Sequence, residues 1–161
     1  MKKIIALALA MTGILAIQMT GCTAKSSAIT FSIETGDKIK VELDTLYGHK
    51  LSQSGGDMYL SDKDGTFTLT GSFILPDYYA AYEEQFASAG EASNVIETGN
   101  GATKAGQSYS YAAYTNDDGS TGIMIMLRVP NATCGVIFIG DNVPSVDDAR
   151  TAFNLLSFSK E

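Results

Sequence analysis

The segment Cys134-Gly135-Val136-Ile137-Phe138-Ile139 is apolar on both faces of an extended chain. So, in part, is the segment before it, where Met124 and Met126 alternate with Ile123 and Ile125. Successive side chains of a strand point to opposite sides. Strands of this composition must therefore be covered above and below, which an open sheet with one wet face cannot do. Whatever else the chain folds into, it needs a layer on each side of these strands.

Period-two alternation continues through much of the remainder. Ile29, Phe31 and Ile33 alternate with polar residues, as do Ile39, Val41 and Leu43. This predicts a hairpin with Ile33 facing Ile39, Phe31 facing Val41 and a loop of Thr35-Gly36-Asp37, which also sets Glu34 opposite Lys38. Residues 45–56 are less regular, and Leu46, Tyr47 and Leu51 are expected to pack inward. Met58 and Leu60 align with Phe67 and Leu69 across Asp62-Lys63-Asp64-Gly65, a loop of hairpin type. Residues 99–106, with Gly99, Gly101 and Gly106, read as a flexible loop. The clearest hairpin places Tyr109, Tyr111 and Ala113 opposite Leu127, Ile125 and Ile123 around Asp117-Asp118-Gly119, with Gly119 left-handed.

Two helices interrupt the strands. Pro76 opens one over residues 77–89 that stops at Gly90, with Tyr79, Tyr82 and Phe86 on its inner face. Ser145 caps the second, with Asp147 and Asp148 in its first turn, where the helix dipole favours acids. Val146, Ala149, Phe153 and Leu156 form its apolar stripe. It is expected to end near Leu156, leaving residues 157–160 extended or frayed. The fold class that follows is α+β: a single antiparallel β-sheet of about six to seven strands with helices packed on both faces, an α/β/α sandwich.

Residues 1–21 read separately from this domain. Lys2 and Lys3 precede an apolar run over residues 4–17, broken only by Thr12 and Gly13. Fourteen residues are too few to span a bilayer, which takes about 20, but suit the h-region of an export signal. Met19-Thr20-Gly21-Cys22 follows. This resembles the lipobox of bacterial lipoproteins, with Met where that family usually has Leu. The resemblance implies that residues 1–21 are a signal peptide and that Cys22 is lipidated. It further implies a protein held on a cell membrane, facing outside the cytoplasm. Residues 22–27 are then the lipidated cysteine and a short tether, and residues 28–161 a single domain. Five tether residues at about 3.5 Å each reach less than ~20 Å, so the domain stays close to the membrane.

Across residues 29–160 the order of elements, the Tyr-rich helix and the late antiparallel meander resemble the Mog1/PsbP-like α/β/α sandwich. That resemblance implies a binding or accessory module rather than an enzyme.

Composition narrows the partners. The chain has 11 Lys plus Arg against 18 Asp plus Glu. Taking away Lys2 and Lys3 leaves nine basic against eighteen acidic side chains, a net charge of −9, which disfavours nucleic acid as a partner. The expected partners are the membrane, through the lipid, and a protein or glycan held by exposed tyrosines, for which Tyr78 and Tyr114 are the candidates. The protein is expected to be a monomer.

Catalytic material is sparse. His49 is the only histidine, which excludes a zinc site with two imidazoles from this chain. It reads as a loop or strand-end residue. Cys134, among apolar neighbours, reads as a buried small side chain, not a nucleophile. Asp62-Lys63-Asp64-Gly65 and Asn116-Asp117-Asp118-Gly119 have the look of calcium loops but lack the further ligands and the closing Glu, so they read as turns. Gly99-Asn100-Gly101-Ala102-Thr103-Lys104 lacks the ending of a phosphate loop, and Asn131-Ala132-Thr133 is a glycosylation sequon of no expected use in a bacterial lipoprotein. No catalytic, cofactor or metal site is expected. The alternatives are a cell-envelope hydrolase using carboxylates such as Asp117 and Asp118, and a purely structural envelope protein.

Overall fold

The structure, a computed structural model, describes residues 28–161. The leader, Cys22 and the tether lie outside the described residues. The elements are β1 (Ala28–Ser32), β2 (Lys38–Leu43), a 3-10 turn (Thr45–Tyr47), β3 (Lys50–Ser54), β4 (Asp57–Ser61), β5 (Thr68–Ile74), α1 (Pro76–Ala89), β6 (Val95–Ala102), β7 (Ser108–Thr115), β8 (Thr121–Arg128), β9 (Gly135–Gly140), α2 (Val146–Phe153) and β10 (Leu156–Lys160). The strands form two antiparallel sheets. A seven-stranded sheet runs β3-β4-β5-β9-β8-β7-β6, and a three-stranded sheet runs β1-β2-β10.

The domain is mixed α+β, as the periodicities require, but it is not one sheet with helices on both faces. The first hairpin leaves the main sheet and joins β10 instead. Leu156, expected at the end of a longer α2, is the first residue of β10. The helix stops at Phe153 because the chain must turn to bring Leu156 opposite Leu43 and Phe158 opposite Val41. Both faces of the central strands are covered, by different means. On one side α1 lays Tyr79 against Ile74, Met126 and Ile137, with Tyr82 and Phe86 half-buried beside them. On the other, the three-stranded sheet and α2 press Phe31, Val41, Phe153 and Phe158 onto Leu69, Phe73, Ile125 and Phe138. The Phe153 ring stands edge-on to Phe138 and to Tyr109, with centroids 5.3 and 5.1 Å apart, and so fills the gap between the sheets.

The hairpin β7–β8 has the expected register: Tyr109, Tyr111 and Ala113 oppose Leu127, Ile125 and Ile123, and Gly119 is left-handed with φ 85°. The two earlier hairpins keep the expected faces but are each displaced by two residues. Phe31 opposes Ile39 and Ile29 opposes Val41, and the loop is Glu34-Thr35-Gly36, closed by the Ile33 N–H donating to the Asp37 carbonyl at 3.0 Å. Likewise Leu60 opposes Leu69 and Met58 opposes Gly71. There the Asp62 carboxylate organises the turn, accepting from the Thr66 hydroxyl at 2.7 Å and the Phe67 N–H at 3.1 Å.

Of the residues read as a loop, 99–102 belong to β6, while 103–106 turn the chain into β7, with the Gly106 N–H donating to the Thr103 carbonyl at 2.8 Å. Most of β6 is an edge strand whose Gly99 and Gly101 face Tyr111 and Tyr109. A Cβ at Gly99 would come 2.9 Å from the Tyr111 ring, so the glycines are where the rings lie flat on the neighbouring strand. Gly71 opposite Phe138 and Gly122 opposite Tyr114 repeat the arrangement. Residues 50–54, in the stretch read as irregular, form the other edge strand, turned into β4 by Gly55 and Gly56, both left-handed.

A polar clasp joins the two sheets at the loop end of β1 and β2. One oxygen of the Asp37 carboxylate meets Lys160 Nζ at 2.6 Å. The other accepts from the N–H and hydroxyl of Thr133, each at 3.2 Å. The Lys160 ammonium first, then the Thr133 N–H, hold this carboxyl below its ordinary value of 3.8. A carboxyl depressed on folding adds stability above its unfolded value, and that stability is lost as the pH falls through the folded one. Asp37→Asn should therefore be less stable than wild type at pH 7, with the difference shrinking once the pH drops below 3.8. Urea unfolding at pH 7 and pH 3 checks this: a difference that stays constant would show that the charge contributes nothing.

Candidate functional site

The surface that stands out is a short turn between β2 and β3. Asp44 follows β2 and caps the 3-10 turn, its Oδ1 accepting from the Leu46 N–H at 3.0 Å. Gly48 closes the turn with a left-handed φ of 79°, a conformation open to glycine at little cost. Between these two residues the side chains have no core to enter. Leu46 is 82% exposed and Tyr47 53%. Hydropathy predicts that both pack inward; the capped turn directs them to solvent instead, and of the three apolar residues in this stretch only Leu51 packs against the core. The signal in the sequence was Asp44 four positions before Gly48, a capping residue and a left-handed stop.

Lys104, from the β6–β7 connection, closes over this turn. Its Nζ lies 3.0 Å from Asp44 Oδ2 and 4.3 Å from the centroid of the Tyr47 ring. The Leu46 N–H, then Lys104, pull the Asp44 carboxyl down, and Asp44 pushes the Lys104 ammonium up, so both stay charged through the neutral range and offset one another. The result is an apolar tip on a locally balanced base. β1 begins beside it: Ala28 opposes Glu42, and β2 then runs on through Leu43 into the turn.

The residues singled out for chemistry are scattered. Cys134 is 1% exposed, and burial, with the Asp37 charge behind it, pushes its thiol up to about 11, which disfavours the thiolate a nucleophile needs. His49 is half-buried beside Gly48, its Nδ1 without a hydrogen-bond partner. Asp118 accepts from the Ser120 hydroxyl at 2.6 Å and N–H at 2.9 Å. These bonds hold its carboxyl below the usual range, so it has no proton to give a leaving group near neutrality. Asp117 sits at the exposed tip of the same turn. Among the described residues no three His, Cys, Asp or Glu side chains are grouped to hold a metal ion. Thr133 of the sequon is engaged by Asp37. Tyr78 is exposed as expected, whereas Tyr114 is 2% exposed, laid over Gly122.

A second polar group, not visible in the sequence, lies under the β6 edge. The Tyr111 hydroxyl donates to Glu97 at 2.9 Å, the Arg150 guanidinium stacks over the Tyr111 ring at 4.5 Å, and the Tyr109 hydroxyl meets the Asn154 amide at 2.8 Å. These contacts fasten α2 to the edge of the large sheet.

No family model, curated protein or solved structure matches the chain. Among the described residues no helix is long and apolar enough to cross a membrane.

Proposed function

We propose that the protein is a lipoprotein, anchored at Cys22 to a bacterial cell membrane outside the cytoplasm, and that its domain serves as a binding or accessory module. One observation carries this reading. Lys2-Lys3, the apolar run of residues 4–17 and Met19-Thr20-Gly21-Cys22 stand in register, and the first strand begins only six positions after the cysteine, at Ala28. A diacylglyceryl cysteine supplies at least two acyl chains, enough for firm attachment where one alone is marginal. The acidic domain gains nothing from anionic lipids, so firm attachment must come from the acyl chains. The test is expression of the full chain in a bacterial host fed labelled palmitate. Wild type should take the label and stay with the membranes through a salt wash; Cys22→Ala should take none and leave them. If Cys22→Ala stays as fully as wild type, the leader is an uncleaved anchor and the reading fails.

A further inference from the structure

The exposed turn and the point where the chain enters the fold share one end of the three-stranded sheet. Ala28 pairs with Glu42, and Leu46 lies four residues beyond Glu42, at most ~15 Å of chain away. From Cys22 to Ala28 there are six chain steps, at most ~20 Å when fully extended. A domain tethered by so short a segment keeps this end against the lipid surface. There it presents adjacent Leu46 and Tyr47, of which Leu46 is the most exposed large apolar side chain among the described residues. The other exposed large apolar residues, Tyr78 and Ile96, stand singly on α1 and β6, and isolated apolar side chains on a surface call for no explanation.

The charges around the turn suit the same occupant. Lys104 is paired with Asp44, and Lys63, whose Cβ lies 3.1 Å from where a Gly48 side chain would begin, is 3.8 Å from Asp64. The tip is therefore apolar over two ion pairs, with the exposed Lys50 beyond Gly48, in a domain that otherwise carries excess negative charge. We infer that the Leu46–Tyr47 turn seats on the bilayer to which Cys22 is tethered, with Leu46 at the acyl boundary and the Tyr47 ring at headgroup level, fixing the orientation of the domain. An apolar residue with an amphipathic aromatic beside it is the pairing that interfacial segments use. With the Asp44–Lys104 and Lys63–Asp64 charges paired, the contact draws on apolar burial more than on lipid charge. The inference rests on the Cys22 anchor.

The chain has no tryptophan, so a single one reports its own surroundings. The full lipidated chain carrying Leu46→Trp is reconstituted in phosphatidylcholine vesicles with acyl chains brominated near the headgroup. Thr35→Trp, in the exposed loop at the opposite end of the three-stranded sheet, serves as the reference. The tryptophan at position 46 should shift to the blue and lose roughly half or more of its emission, as a side chain ~5–10 Å into the interface does; the one at position 35 should emit as in water. Mass measurement and flotation on the same samples separate the two claims. A lipidated protein that floats with both tryptophans equally unquenched overturns the docked turn and leaves the anchor standing. A chain with no acyl group on Cys22 overturns the anchor, and the docked turn with it.

Discussion

Phe138→Ala should destabilise the domain by about 3–5 kcal/mol, the range for truncating a fully buried aromatic. Phe138 sits on β9, fully buried in the large core, with Phe153 and Phe158 at centroid distances of 5.3 and 6.3 Å. Its ring also lies over Gly71 of β5 so closely that a Cβ there would run into three ring atoms. The two positions are thus one unit. Gly71→Val should cost about 1–3 kcal/mol by overpacking, because neighbours on every side stop the ring from moving. In the double variant the valine enters the space the ring has left. The combined loss should then be smaller than the sum of the single losses, the mark of coupled neighbours. Urea unfolding of the four proteins measures this, and strict additivity would contradict the pairing.

Cys134 should be nearly inert in the native protein. In Cys22→Ala it is the only thiol of the chain, so labelling has a single source. Its thiol is pushed from the ordinary 9.0 up to about 11 by burial, with Asp37 adding to the effect. At neutral pH the reactive thiolate is then about a hundredfold rarer than for a free cysteine, before any loss of access is counted. A disulfide reagent at pH 7 should therefore label the native protein at least about a hundredfold more slowly than the urea-unfolded one. Native labelling at the unfolded rate would return Cys134 to consideration as a nucleophile.

These residues also show what the sequence could reveal. Parity was legible: Ile137 and Phe138 had to face opposite layers, and they do. Register was legible where the loop length and a left-handed glycine agreed, as at Gly119. It was not legible where a carboxylate chose the turn. The first hairpin pairs Ile33 with Asp37 while the Asp37 side chain meets Thr133, 96 residues later, and no local pattern announces such a partner. Gly99 and Gly101 read as loop because a glycine is silent about the ring opposite it. The second sheet was hidden for a related reason. Alternation says that residues 29–43 are strands, but not which edge they join, and β10 was masked by the helix pattern running up to Leu156. At the candidate surface, hydropathy alone places Leu46 and Tyr47 inside, whereas the Asp44 cap and Gly48 decide where they point.

The three-stranded sheet has a consequence for the order of folding. Its middle strand, β2, pairs on one side with β1 close by, and on the other with β10, where Leu43 meets a partner 113 positions further along, Leu156. Phe153 and Phe158, which fill the space between the sheets, arrive with that late segment. Closing so long a loop costs entropy before any contact repays it, which slows folding. A nascent chain that has emerged only as far as β9 has one side of β2 open and the large core uncovered. It stays threadable until nearly all of the domain is present, a property that suits the export proposed for this chain.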